Sequence, residues 1–250
     1  MIKFLFVIPC FNEGKRFPIH YWQNLISSHP NITWLFIDDG STDNTFDILS
    51  NISQLFFNCH SFSLPKNRGK GNAIREGFKL GLKNIGLYKY GAYLDCDGAF
   101  DRNNVNDFLI NYEEELDVNP NRFDMIIGSR IAMAGYEIQR NFFRHLASRI
   151  VVTYVCWGWK NAPYDTQSGL KIFKASDSFF LSIENEFVTR WFFDIELMLR
   201  LINRSEGSFK IKEIPVKNWR DIRGSHINVK SLPTIFREMI RIRRLVRKEV

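Results

Sequence analysis

The chain has 250 residues, of which 45% are hydrophobic and 24% charged, a composition suited to one α/β domain with a sizeable core. Its four cysteines, Cys10, Cys59, Cys96 and Cys156, form no C-x-x-C and no Cys/His spacing for zinc, which excludes a zinc module and predicts reduced thiols. The net charge of +7 points to anionic partners. Nucleic acid is set aside among them, because no aromatic RNP motif or helix-turn-helix is present.

In chain order, Phe4–Ile8 reads as a strand, Glu13–Ser28 as a helix and Thr33–Ile37 as a second strand. Asp38-Asp39-Gly40-Ser41-Thr42-Asp43 follows, with Ser41 or Thr42 as N-cap of a helix from about Asp43 to Ile52. Leu55–Phe62 predicts a strand, and Gly69–Leu82 a helix opened by a Gly-rich turn. The strand Tyr90–Leu94 then delivers Asp95-Cys96-Asp97. Strands alternating with helices predict a mostly parallel sheet. Beyond it, helices are expected at Asp101–Glu115, Asn141–Trp159, Val188–Ile202 and about Ser231–Arg247, and strands at Asp124–Ile127, Thr166–Phe173 and Ser208–Ile214. There is no linker, repeat or low-complexity tract, so one domain is expected. No signal peptide is read ahead of the first strand, and no apolar run reaches the ~18 residues of a membrane span. The expectation is a cytoplasmic protein that does not cross a bilayer.

Open α/β sheets bind ligands at the carboxyl ends of their strands. Four polar segments fall there: Ile8-Pro9-Cys10-Phe11-Asn12-Glu13, Ile37-Asp38-Asp39-Gly40-Ser41, Asn67-Arg68-Gly69-Lys70-Gly71, and Asp95-Cys96-Asp97. Asp38 or Asp39 suits base N–H or ribose hydroxyl groups. Gly69 and Gly71 let the backbone approach a ligand, and Arg68 and Lys70 neutralise phosphate. Asp95 and Asp97 are hard oxygen donors for a divalent cation. Singly, each segment also reads as an ordinary turn; together on one edge they favour a nucleotide site.

In this order and spacing the segments resemble family-2 glycosyltransferases, whose GT-A fold is a single nucleotide-diphosphosugar-binding α/β domain with a mostly parallel mixed sheet flanked by helices. The resemblance continues through Ile127-Gly128-Ser129-Arg130, Arg140, Arg144 and Ser148, Asp165-Thr166-Gln167-Ser168-Gly169-Leu170-Lys171, Arg190-Trp191-Phe192-Phe193-Asp194-Ile195-Glu196, Ile214-Pro215-Val216-Lys217-Asn218-Trp219, and Gly224-Ser225. This series is similar to the polyprenyl-phosphate branch, the dolichyl-phosphate mannose and glucose synthases, with two stretches resembling the glucose type. The resemblance implies a catalytic domain over residues 1–230, with a nucleotide half at 1–98 and an acceptor half at 99–230, followed by a basic amphipathic helix at 231–250.

It also implies that Pro9, Asn12, Glu13, Asp38 and Arg68 line the nucleoside pocket and that Asp95 and Asp97 hold Mg²⁺ or Mn²⁺ against the diphosphate. Ala99 stands where relatives often carry a further polar ligand. Arg130, Arg144 and Ser148 match acceptor-phosphate positions, with Arg140 joining them; Asp165 and Gln167 face the cleft. A lipid phosphate is already an anion and needs no base, whereas a sugar hydroxyl needs one, for which Asp194 is the candidate and Glu196 the runner-up. The expected reaction is inverting transfer from a nucleotide diphosphosugar, UDP-glucose favoured over GDP-mannose, to polyprenyl phosphate at the cytoplasmic membrane face. Extension of a surface polysaccharide by hydroxyl attack is the rival, and a non-catalytic nucleotide-binding membrane adaptor a rival of another class. Phe142–Trp159 and the basic last helix, with Arg237, Arg241, Arg244 and Lys248 on one stripe, both suit an anionic membrane surface.

Overall fold

The computed structural model describes residues 4–82, 88–118, 123–205, 208–222 and 231–249. Gly224 and Ser225 lie outside them. In chain order the elements are β1 (Phe4–Cys10), α1 (Ile19–Ser28), β2 (Ile32–Asp38), α2 (Thr45–Leu55), β3 (Cys59–Ser63), α3 (Lys70–Gly81), β4 (Tyr90–Leu94), α4 (Arg102–Val118), β5 (Met125–Ser129) and β6 (Glu137–Gln139). They continue with α5 (Phe142–Val155), β7 (Leu170–Lys174), α6 (Asp177–Ser182), α7 (Phe193–Arg204), β8 (Ile211–Pro215), β9 (Asn218–Arg220) and α8 (Leu232–Glu249).

Seven strands form one sheet in the order β3-β2-β1-β4-β7-β5-β8. β3, β2, β1 and β4 run parallel; β7 is antiparallel to both its neighbours, and β5 and β8 are parallel to each other. The carboxyl ends of β1, β2, β3, β4, β5 and β8 therefore share one edge, where β7 begins. β6 and β9 pair separately.

Because β1 and β2 are buried on both faces, their sequences are nearly continuous apolar runs. Alternate side chains feed two cores. Phe4, Phe6, Trp34 and Phe36 pack with Trp22 of α1, Leu49 of α2 and Phe108 of α4. Leu5, Val7 and Ile37 pack on the other face with Phe78 of α3 and, further along the sheet, with residues of α5, α6, α7 and α8. Each fully buried side chain of this size contributes roughly 1.5–3 kcal/mol, so the aromatic-rich strands anchor the edge that carries the site.

Several predicted boundaries shift for identifiable reasons. α1 starts at Ile19, after Pro18, because the Glu13 carbonyl closes a turn by accepting from the N–H groups of Arg16 and Phe17. α2 is entered at Asn44 rather than Ser41 or Thr42, and Asp43 Oδ1 takes the Thr45 N–H at 3.0 Å. β7 starts at Leu170 rather than Thr166, since Ser168 N–H turns back to the Asp165 carbonyl. α7 starts at Phe193 rather than Val188, because Glu196 accepts from the N–H groups of Val188 and Thr189 and folds that segment against the helix. The short elements β6, α6 and β9 carried no periodic signal.

Candidate active site

Three loops of the nucleotide side are tied together by their own polar side chains. Asn12, the only non-glycine with positive φ (52°) among the described residues, accepts from Thr42 N–H at 2.9 Å, while its own N–H donates to Ser41 Oγ at 2.9 Å. Glu13 is buried, forks with Arg16 at 2.5 and 2.6 Å, and its N–H donates to Thr45 Oγ1. Asp38 accepts from Ser41 N–H at 3.1 Å and Ser63 hydroxyl at 2.7 Å. Asp39 accepts from the N–H groups of Arg68 and Gly69 at 2.8 and 2.7 Å. Burial pushes the Asp39 carboxyl up despite these two bonds. Pro9 is buried in β1, and the Arg68 guanidinium pairs at the surface with Glu186.

Lys70 opens α3 and carries its ammonium to 2.5 Å from Asp95 Oδ1. Gly69 has φ 89°, and a side chain there would meet the Arg190 side chain. The Asp95 N–H bonds the Gly169 carbonyl, and the Asp95 carboxylate lies where any Cβ at position 169 would stand, 2.1 Å from that point. Asp97 follows on the same edge, with Oδ1 taking the Ala99 N–H at 3.0 Å. Burial, and then the Asp95 charge, push the Asp97 carboxyl up to about 6. Two crowded carboxylates are a donor set that a dication would relieve, so Asp95 and Asp97 fit a divalent cation. No cluster of three or more His, Cys, Asp or Glu ligands occurs among the described residues, so the rest of the coordination shell would come from substrate and water.

The acceptor side is an arginine cluster around Asp165. Arg130, just past β5, grips Asp165 with Nε and Nη2, both at 2.7 Å, and its N–H adds a third bond at 2.9 Å. Arg140 reaches the same carboxylate at 3.2 Å and contacts His145 Nδ1 at 2.8 Å. Both guanidiniums lie over the Trp219 ring, at 5.0 and 5.5 Å from its centroid. Burial opposes the Asp165 charge, but Arg130 and then Arg140 outweigh it and hold the carboxyl well below the usual range. Glu213 on β8 fixes this loop through the N–H groups of Tyr164 and Asp165. Gln167 donates to the Trp191 carbonyl. Ser148 and Arg149 of α5 join Arg130, Arg140 and Asp165 around a small recess. Arg140 lies ahead of α5 rather than on its face, and the Arg144 side chain lies outside those described. Three buried polar atoms here, Ser129 Oγ, Thr166 Oγ1 and Arg140 Nε, have no hydrogen-bond partner among the described residues.

Next to the recess is a cleft of about 430 Å³ lined by Val152, Cys156, Trp157, Pro163 and Tyr164, with Arg149 and Glu213. It shares Arg149, Val152 and Tyr164 with the recess. Outside it, α5 leaves Phe142, Phe143, Leu146, Ile150 and Tyr154 exposed.

Asp194, in the first turn of α7, is buried. One of its oxygens takes both the Tyr93 hydroxyl and the Lys171 ammonium, the latter at 2.7 Å. Glu196 is committed to Val188, Thr189 and Arg200. Sequence reading quoted Tyr93, Lys171 and Trp219 inside longer stretches without a role and gave Glu213 none; only the fold brings them to the site.

A mixed sheet with loop-tied carboxylates at one edge, a paired aspartate motif at its centre and an arginine cluster beside it defines a nucleotide-sugar transferase of the GT-A class. Residues 5–158 match the glycosyl transferase family 2 profile, and the chain belongs to that family. It is 32% identical over 239 residues to a dolichyl-phosphate beta-glucosyltransferase of Homo sapiens, covering 88% of this chain and 68% of that one. The Saccharomyces cerevisiae protein of the same name is 31% identical over 238 residues, covering 88% and 67%. One from Trichomonas vaginalis is 28% identical over 247 residues, covering 95% and 72%. Among solved structures, glucosyl-3-phosphoglycerate synthase of Mycobacterium tuberculosis, crystallised with Mn²⁺, UDP-glucose and phosphoglyceric acid, superposes with a TM-score of 0.62 at 15% identity, covering 98% and 79%. That likeness establishes the fold.

Proposed function

We propose that this family-2 glycosyltransferase moves glucose from UDP-glucose to a polyprenyl phosphate. The carrying observation is the Arg130–Arg140–Ser148 recess, which shares Arg149, Val152 and Tyr164 with the mostly apolar cleft beside it. Cations beside an apolar groove suit a ligand with a phosphate head and a hydrocarbon tail. The unpartnered Arg140 Nε is a further donor there. The names of the human and yeast relatives agree with this reading.

On the donor side, the Asn12, Asp38 and Asp39 loops and Pro9, Glu13 and Arg68 frame the nucleoside, with Lys70 set to neutralise diphosphate. Asp95 and Asp97 would hold Mg²⁺ or Mn²⁺, which supplies positive charge to the departing diphosphate oxygens; the Mn²⁺ in the mycobacterial complex agrees with that choice. On the acceptor side the phosphate oxygen, oriented by Arg130, Arg140, Arg144 and Ser148, attacks the anomeric carbon opposite the leaving group. A single in-line displacement inverts that carbon, and positioning and charge neutralisation supply the catalysis. Asp165 holds the arginine forks, and Gln167 ties their loop to Trp191.

The exposed apolar side chains of α5, and Leu232 and Phe236 of α8, are the groups this reading lays on an anionic membrane. We place it at the cytoplasmic side. No helix among the described residues is long and apolar enough to cross a bilayer.

The test is a panel of UDP- and GDP-sugars with polyprenyl phosphate, with and without Mg²⁺ or Mn²⁺. Glucose transfer from UDP-glucose, lost with chelator and in Arg144→Ala, is the expected result. Transfer only to a sugar hydroxyl would overturn the reading.

A further inference from the structure

We propose that Lys171 is a positioning residue of the transfer reaction: it keeps Asp194 permanently paired and braces the Ser168–Gly169 peptide against Asp95, so the site accepts nucleophiles that arrive as anions. This deepens the polyprenyl-phosphate reading and rests on it.

Lys171 sits in β7 directly opposite Tyr93 of β4. Its side chain is fully buried, which is rare for lysine and requires a partner. The ammonium has two: Asp194 Oδ1 at 2.7 Å and the Ser168 carbonyl at 2.5 Å. It also lies 5.1 Å from the centre of the Tyr93 ring, whose hydroxyl donates to the same Asp194 oxygen. Asp194, in the first turn of α7, is thus held at Oδ1 by an ammonium and a phenol. A general base needs a lone pair open to the substrate hydroxyl, and Asp194 Oδ1 already accepts from two donors.

The second bond of Lys171 leads to Asp95. Ser168 is joined to Gly169, whose carbonyl accepts the Asp95 N–H at 2.9 Å and whose Cα faces the Asp95 carboxylate. Fixing the Ser168 carbonyl therefore fixes the surface on which Asp95 rests. One lysine braces Asp95 and keeps the nearby acid from serving as a base.

The chemistry then has one form. An acceptor phosphate oxygen forms a bond to the anomeric carbon while the bond from that carbon to the diphosphate oxygen breaks. The electron pair leaves with the nucleoside diphosphate, and no proton moves. A neutral hydroxyl would have to lose a proton, and the Asp194 oxygen that Lys171 holds is already occupied by two donors.

A double-mutant cycle tests this in the full-length chain. Transfer to polyprenyl phosphate and to a polyprenol is measured for wild type, Lys171→Met, Asp194→Asn, the double variant and Lys171→Arg, with thermal unfolding as a check on folding. Lys171→Met is expected to lower kcat about 10²-fold through misplacement of the reacting groups, with KM for the acceptor little changed. Lys171→Arg should recover part of the loss. The double variant, which has no unpaired buried charge, should be more active and more stable than either single variant. If the double variant is as inactive as Asp194→Asn while Lys171→Met is near wild type, Asp194 acts as a base and the proposal falls. If Lys171→Met does not fold, the same comparison is made between Asp194→Asn and the double variant. If wild type is inert toward polyprenyl phosphate and active on an alcohol, the proposed substrate fails first. The cycle run with that alcohol then decides the role of Asp194 separately.

Discussion

On the nucleotide side Asp38 and Asp39 hold backbone; on the acceptor side Asp165 and Asp194 hold cations. Asp39 spends both oxygens on the N–H groups of Arg68 and Gly69, and Asp38 spends one on Ser41 N–H. Asp165 instead gathers Arg130 and Arg140, and Asp194 gathers Lys171. The first arrangement fixes loop shape and leaves the loops' ligand-facing edges available. The second stores positive charge beside a place where an anion must come. Asp95 and Asp97 sit between, and Lys70, from the nucleotide side, already pairs with Asp95.

The largest expected effect falls on that junction. Asp97→Asn should reduce kcat by about 10³-fold, the loss of several kcal/mol of charge stabilisation on the leaving diphosphate. Calorimetry of Mn²⁺ with UDP should show the matching loss of metal affinity. Retention of both would remove Asp97 from the metal site.

Next is Arg130, where the acceptor side is separated from the donor side. Arg130→Met should lower kcat/KM for polyprenyl phosphate about 10²-fold, since it removes a cation and leaves the buried Asp165 charge to Arg140 alone. UDP affinity should hold within a factor of about two. Arg130→Lys should recover little, because an ammonium cannot reproduce the two-pronged grip on Asp165. A large fall in UDP affinity instead would mean that the two sides are not independent.

The converse variant is Asp39→Asn. An amide keeps one acceptor oxygen, so one of the two loop N–H groups loses its acceptor and the other keeps only a neutral one. The expected cost is about tenfold in KM for the nucleotide sugar, the scale of one charge-assisted hydrogen bond. Acceptor KM should not move, and steady-state kinetics with each substrate varied in turn reads both.

The same contrast explains what the sequence disclosed. The nucleotide side is built from contiguous motifs at strand ends, so Asn12, Asp38, Asp39, Arg68, Lys70, Asp95 and Asp97 all read as candidate site residues, and the fold places them along one edge of the sheet. The apolar runs of β1 and β2 likewise announce strands buried on both faces. The acceptor side is assembled by pairings across long separations: Arg130 with Asp165, Lys171 with Asp194, and Trp219 under two arginines. Resemblance pointed to Arg130, Arg140, Arg144 and Ser148, but nothing local marks Lys171, which looks like any strand lysine until β4 and α7 close over it. Helix starts were misplaced where a side chain recruits backbone from outside the helix, as Glu196 does with Val188 and Thr189. Periodicity carries no trace of such contacts.

The smallest effect is a pH dependence that belongs to the junction alone. In the folded protein burial and then the Asp95 charge push the Asp97 carboxyl up to about 6, against an ordinary 3.8. Between these values the folded chain keeps a proton that the unfolded chain has lost, so stability from this group falls as pH rises through the window. A dication binds the ionised form, so its affinity runs the other way: it rises with pH and levels off above about 6. From pH 7 to pH 6 the loss in Mn²⁺ affinity should be only about twofold, steepening toward tenfold per unit below that. The Asp165 carboxyl, held low by Arg130 and Arg140, stays charged throughout. Acceptor affinity over the same range should therefore show no dependence on Asp165 titration. Calorimetric Mn²⁺ titrations at several pH values, repeated on Asp97→Asn, separate the two. A slope that persists in the variant would move the titrating group away from Asp97 and remove the junction's distinct chemistry.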